Sequence, residues 1–174
     1  MGVSITGYSH LELAMETGEE LPDEEQFQEA DRNGWLFAMN DQCFAARMDG
    51  WKSGFYRTTR KTKEVWVCSV SYGTYGGWRD DLGRMVGASA FGFHGDCEGG
   101  PFAELICFSD CEGAIGPDTS KKLYKDFKKH AAQVRKFAKM HPDDEWYGGW
   151  YLSLYNGFRR AFKVASKSGL VLFH

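Results

Sequence analysis

Residues 116–174 read GPDTSKKLYKDFKKHAAQVRKFAKMHPDDEWYGGWYLSLYNGFRRAFKVASKSGLVLFH. Gly116-Pro117-Asp118-Thr119 is a helix start, with Asp118 or Thr119 as its cap. Leu123, Phe127, Ala131, Val134 and Ala138 then recur every three or four residues and predict one apolar stripe. Lysines and arginines fill much of the remaining surface. His141-Pro142-Asp143 breaks this helix, because a residue before proline is pushed out of the helical region. Tyr147, Tyr151, Leu154, Phe158, Ala161 and Ala165 repeat the stripe, and Phe162 widens it. Ser168-Gly169 ends the second helix, and Leu170-Val171-Leu172-Phe173 is a strand that rejoins a sheet. The short connection makes the two helices antiparallel neighbours.

Upstream, the sequence is strand-like. Glu64–Tyr72, EVWVCSVSY, alternates, with Val65, Val67, Ser69 and Ser71 on one face and Trp66, Cys68, Val70 and Tyr72 on the other. Val3–Ala14 and Trp35–Met39 are further strands. Asp49-Gly50 and Lys52-Ser53-Gly54 are turns, and Leu21-Pro22-Asp23-Glu24-Glu25 opens a short acidic helix that Asn33-Gly34 ends. The prediction is an α+β fold: one domain over 1–174, with a small, mostly antiparallel sheet packed against two C-terminal antiparallel helices.

The middle differs in character. Residues 73–116 hold 11 of the 21 glycines, a density that suits tight turns or a binding loop. A two-turn helix fits Trp78–Val86. Ahead of it, Tyr72, Tyr75, Trp78 and Arg79 stand among glycines and hydroxyls, and aromatic faces with a guanidinium suit a base or sugar bearing a phosphate. Gly73, Gly76 and Gly77 form neither a dinucleotide fingerprint nor a Walker loop. A turn leading into a helix with Trp78, Leu82 and Met85 as core is the competing reading.

The tetrapeptide Asp-Cys-Glu-Gly occurs at 96–99 and again at 110–113, around a strand-like PFAELICFS. The second copy runs into the basic helix. There Asp110 and Glu112 either cap a turn or accept hydrogen bonds from a ligand. His94, Cys97, Cys107 and Cys111 sketch a metal site, but the spacing is not a zinc pattern, and no metal or cofactor is expected. Cys111 with His94 or His174 as base is a nucleophile arrangement that the flanking carboxylates oppose.

The composition, 43% hydrophobic and 26% charged, describes a globule. A chain of this mass can bury about 70% of its unfolded surface without staples. No run of apolar residues reaches membrane-spanning length, and the acidic start lacks the features of a secretory signal. A cytoplasmic protein with five cysteines as thiols is therefore expected. The first 31 residues carry nine acidic and no basic side chains, whereas 121–167 carry twelve basic against four acidic. That asymmetry fits an anionic partner for the basic end, or neutralisation within the chain or between copies in a homo-oligomer together with a solvated helix face. A sequence pI of about 6.0 and the lack of a recognition motif weigh against nucleic acid.

Ser109–Pro117, followed by Lys122-Leu123 and Asp126-Phe127, resembles a family of small proteins of uncharacterised activity from bacteriophages and bacterial genomes, marked by S-D-C-E-G-x-I-G-P. Ser71, Tyr72, Tyr75, Trp78 and Arg79 match its aromatic stretch. Pro101, Phe102, Glu104, Leu105 and Ile106 match a second run, and Val171, Phe173 and His174 a third. The resemblance spans Val67–His174 and leaves out the copy at Cys97. It implies a phage-type gene product in a bacterial cytoplasm.

The leading expectation is therefore non-enzymatic binding of a small polar ligand, nucleotide-derived ones included, such as a host signalling nucleotide. Tyr72, Tyr75, Trp78, Arg79, Asp110 and Glu112 would hold it. The alternatives are a hydrolase using Glu112, Asp110 or Cys111, and a protein-interaction module that inhibits a host enzyme. The sequence does not choose between enzyme and binder.

Overall fold

The computed structural model describes residues 2–18, 20–40, 47–87, 99–108, 113–140 and 149–174. β-branched and aromatic residues build two antiparallel sheets. The first holds β1 (Gly2–Tyr8), β5 (Glu64–Ser71), β6 (Gly113–Ile115) and β7 (Leu170–Phe173), in the order β5-β1-β7-β6. The second holds β2 (Glu12–Glu16), β3 (Leu36–Ala38) and β4 (Gly54–Arg57), in the order β2-β4-β3. The single sheet expected from sequence is thus two, and the strand expected over Val3–Ala14 is split by a turn at His10, whose φ is 51°.

Helices complete the α+β fold: α1 (Glu24–Asn33), α2 (Tyr72–Val86), α3 (Ala103–Ile106), α4 (Pro117–Lys129), α5 (Ala131–Lys139) and α6 (Tyr151–Ala165). The helices near the C-terminus pack on the first sheet, with α4 against α6 and α6 against β1, β5 and β7. Val3, Ile5, Phe127, Phe158, Phe162 and Val171 are buried in the core between them. A second core joins the two sheets, with Tyr8, Leu170 and Leu172 meeting Ala38 and Tyr56. β7, an unbroken apolar run, is buried on both faces because it serves both cores. Where α6 crosses β1, only a glycine fits. A Cβ on Gly7 would lie 2.8 Å from both Cα and Cβ of Ala161.

Several elements depart from the sequence reading. The alternation of β5 slips by one residue. Ile5 pairs with Cys68 but Thr6 with Trp66, so Val67 is an extra residue and the strand bulges. Val65 and Val67 face the core before the bulge; Cys68 and Val70 face it afterwards. Trp66, Ser69 and Ser71 are left outside. The stripe from Leu123 to Ala138 belongs to two helices, bent at His130 (φ −92°, ψ 3°), and it buries Leu123, Phe127, Val134 and Ala138 as expected. Neither Asp118 nor Thr119 caps α4. Asp49 does so from a distant turn. The stretch PFAELICFS contains α3, not a strand. Finally, α2 starts at Tyr72 rather than Trp78, with the Ser71 hydroxyl accepting from the Thr74 N–H.

Candidate functional site

α1 sets up the site. Asp23 accepts from the Gln26 N–H at 2.8 Å and the Gln26 side chain accepts from the Asp23 N–H at 3.0 Å, a reciprocal cap. Gly34 closes the helix in the left-handed region, as Asn33-Gly34 predicts. Pro22 just ahead of the cap and Phe27 within the helix stand at the positions where a hydrophobic pair fixes the entry of the chain. Phe27 also packs edge-on to Phe37 of β3 and Phe55 of β4, with ring centroids 5.6 Å and 5.5 Å away.

Between this aromatic cluster and the end of β7 lies a cleft of about 450 Å³. Phe27, Phe37 and Met39 line one side; Phe173, His174 and Gly113 line the other; Leu21 and Pro22 also border it. Its floor is fixed by main-chain pairing. His174 exchanges both backbone hydrogen bonds with Ser4, at 2.8 and 2.9 Å, and Gly113 pairs with Phe173 across β6 and β7. Gly113 has φ 125°, and a Cβ there would come within 3.0 Å of the Phe108 ring, so this wall has no room for a side chain. Leu21 is 68% exposed and Phe27 42%, which concentrates apolar surface at the cleft. Partial desolvation pulls the His174 pKa below its usual value, while the residue as a whole stays exposed. The chemistry on offer is a set of apolar and aromatic walls with one imidazole. That suits a flat ring with a polar edge.

The residues predicted to clamp a ligand are placed elsewhere. Tyr75 and Trp78 are fully buried on the inner face of α2, stacked on each other and on Phe158. The Trp78 indole N–H donates to the Tyr151 carbonyl at 3.4 Å. Tyr72 is half-buried against the same core. Arg79 is 4% exposed; it lies 4.5 Å over the Tyr75 ring and donates to the Phe108 carbonyl. The competing reading, in which Trp78, Leu82 and Met85 are core, is the one observed. Burial overrides the poor helix propensity of Gly73, Gly76 and Gly77. Asp110 and Glu112 lie outside the described residues, as do Asp96, Glu98, Cys97, Cys111 and His94. Arg79 does reach the chain ahead of Asp110, since Phe108 is two residues before it in sequence.

Of the described cysteines, Cys68 is a buried thiol and Cys107 is disulfide-bonded to a cysteine outside the described residues. This corrects the expectation of five thiols and removes Cys107 from the sketched metal set. Burial pushes the Cys68 thiol up to about 12, which makes it a poor nucleophile.

Sequence reasoning missed Leu21, Phe27, Phe37 and Met39. The signal was an aromatic residue, Phe27, on a helix that is charged and polar apart from it and Ala30, followed by the short apolar strand β3. No helix of the described residues is long and apolar enough to cross a membrane. No family model, no curated protein and no solved structure matches the chain.

Proposed function

We propose that the protein binds a small molecule with a flat apolar or heteroaromatic ring, seated between Phe27, Phe37 and Phe173, without turning it over. The observation that supports this reading is the concentration of exposed apolar side chains, Leu21 and Phe27, at the rim of a cleft of about 450 Å³. Exposing such side chains to water is costly, and a guest would recover that cost. The volume is that of an ordinary small-molecule site. His174, exposed at the end of β7, supplies a hydrogen bond to the edge of the guest. A nucleobase satisfies this description, so a nucleotide-derived ligand keeps its place among the candidates. The resemblance to small phage proteins makes a host signalling nucleotide one concrete form.

The test is thermal denaturation against nucleosides, nucleotides and aromatic carboxylic acids. At least one should raise the melting temperature of the parent protein and leave Phe27→Ser unaffected. If none stabilises the protein, small-ligand binding is wrong.

The same exposed pair also favours a second reading, an interaction module. Glu24, Glu25, Glu29 and Asp31 surround Phe27 in sequence on α1, so a partner inserting an apolar side chain into the cleft would present basic groups to that helix. Salt-sensitive binding of a basic amphipathic peptide, with no response to small molecules, would support it.

A further inference from the structure

The chain between β4 and β5 reads Arg57-Thr58-Thr59-Arg60-Lys61-Thr62-Lys63. Its centre is a tight turn in which the Thr62 N–H donates to the Thr59 carbonyl at 3.1 Å, so Arg60 and Lys61 are the two central residues. Threonines lock this turn in place. The hydroxyls of Thr59 and Thr62 both donate to the His10 carbonyl, at 3.2 and 3.1 Å, and the Thr59 N–H donates to the Thr62 hydroxyl at 2.7 Å. The His10 turn is pinned in turn to the end of α6, since the His10 N–H donates to the Lys167 carbonyl and the Leu11 N–H to that of Ser168.

These three segments enclose a cleft of about 410 Å³, whose lining includes His10, Glu12, Thr59, Arg60, Lys61 and Ser168. Its charges do not balance. Glu12, the acid on its wall, is taken by Arg57, whose guanidinium donates to it at 2.9 and 3.1 Å. Arg60 and Lys61 form no ion pair among the described residues. The His10 Nδ1 is shielded from solvent and has no hydrogen-bond partner. Two unpaired cations side by side on a turn whose backbone is pinned are available to an anion.

We propose that this cleft binds an oxyanion of phosphoryl size, carried either by free phosphate or by a phosphate monoester. Arg60 grips two oxygens with its planar fork, and Lys61 adds a point charge. The anion sits on the Arg60 and Lys61 side, clear of the Glu12 carboxylate.

The experiment is a titration of ¹⁵N-labelled protein, first with inorganic phosphate and then with phenyl phosphate, ionic strength being held constant with chloride. The expected result is saturable movement of the His10, Thr59–Thr62 and Ser168 amides together with the His10 ring signals. The Arg60→Gln/Lys61→Gln double variant should weaken it by about tenfold or more. Both side chains are exposed, so the variant should keep the parent melting temperature. Tighter binding of phenyl phosphate would assign the site to an ester; equal or weaker binding would assign it to the free anion. Movement that does not saturate, that chloride reproduces, or that survives in the double variant would overturn the proposal. This cleft shares no lining residue with the one between Phe27 and Phe173, so either site can fail alone.

Discussion

Arg79 of α2 donates to the carbonyl of Phe108, the last described residue before the acidic stretch that holds Asp110 and Glu112 in sequence. The guanidinium is buried, and the Tyr75 ring lies beneath it at 4.5 Å. Phe108 in turn packs on Phe173, with centroids 4.8 Å apart, and Phe173 lines the cleft. Arg79 thus acts on the site from behind, by holding the chain whose aromatic ring supports its wall.

Arg79→Met keeps most of the aliphatic stem and removes the donors. It should cost about 1.5–3 kcal/mol, the range for a hydrogen bond to a charged group. Urea denaturation measures this. An unchanged midpoint would mean that the Phe108 carbonyl is equally well served by water.

Asp49 caps α4 across the fold, accepting from the Thr119 N–H at 2.9 Å and from its hydroxyl at 2.7 Å. Asp49→Ala should destabilise by about 1–2 kcal/mol, as loss of a helix cap does. Faster hydrogen exchange in the first turn of α4 should accompany it. Loss of stability without that local change would place the effect in the 47–50 turn instead.

Gly7 and Ala161 are in van der Waals contact where α6 crosses β1, with no space for another methyl group. Gly7→Ala should cost about 1–3 kcal/mol through overpacking. Ala161→Gly in the same chain should recover part of that cost, and a double-mutant cycle reads the coupling. Strict additivity of the two changes would show that the contact is not the cause.

Partial desolvation lowers the pKa of His174 from its usual value near 6.5. Between the folded-state value and 6.5 the unfolded chain therefore binds the proton more tightly. The contribution of the neutral ring is complete above about pH 6.5 and is lost as pH falls through the folded-state value. Urea midpoints from about pH 7.5 down to pH 5 should decline less steeply for His174→Gln than for the parent. Parallel profiles would mean that the ring is as well hydrated in the fold as out of it.

Local signals were legible in the sequence. The Asp23 cap, the left-handed Gly34, Pro117 at the start of α4 and the apolar run of β7 all act through neighbours in the chain, and each lies where the pattern puts it. Long-range effects were not legible. The bulge at Val67 depends on pairing with β1, and the cap of α4 comes from Asp49. Glycines around Tyr75 disguise a helix that Trp78 and Phe158 stabilise by stacking. The cleft itself is drawn from separate segments around Leu21, Phe37, Gly113 and Phe173, and no local pattern brings the first two to the others. Aromatic residues with an arginine look alike in a core and in a binding site. Only burial tells them apart.

The most direct measurement is the ¹³C-methyl spectrum of Leu21 and Met39 during titration with adenosine and with indole. Binding in the cleft predicts saturable displacement of both methyl signals, no displacement of the core residue Leu82, and loss of the effect in Phe27→Ser. Methyl signals that stay in place, or that move equally in Phe27→Ser, would contradict it.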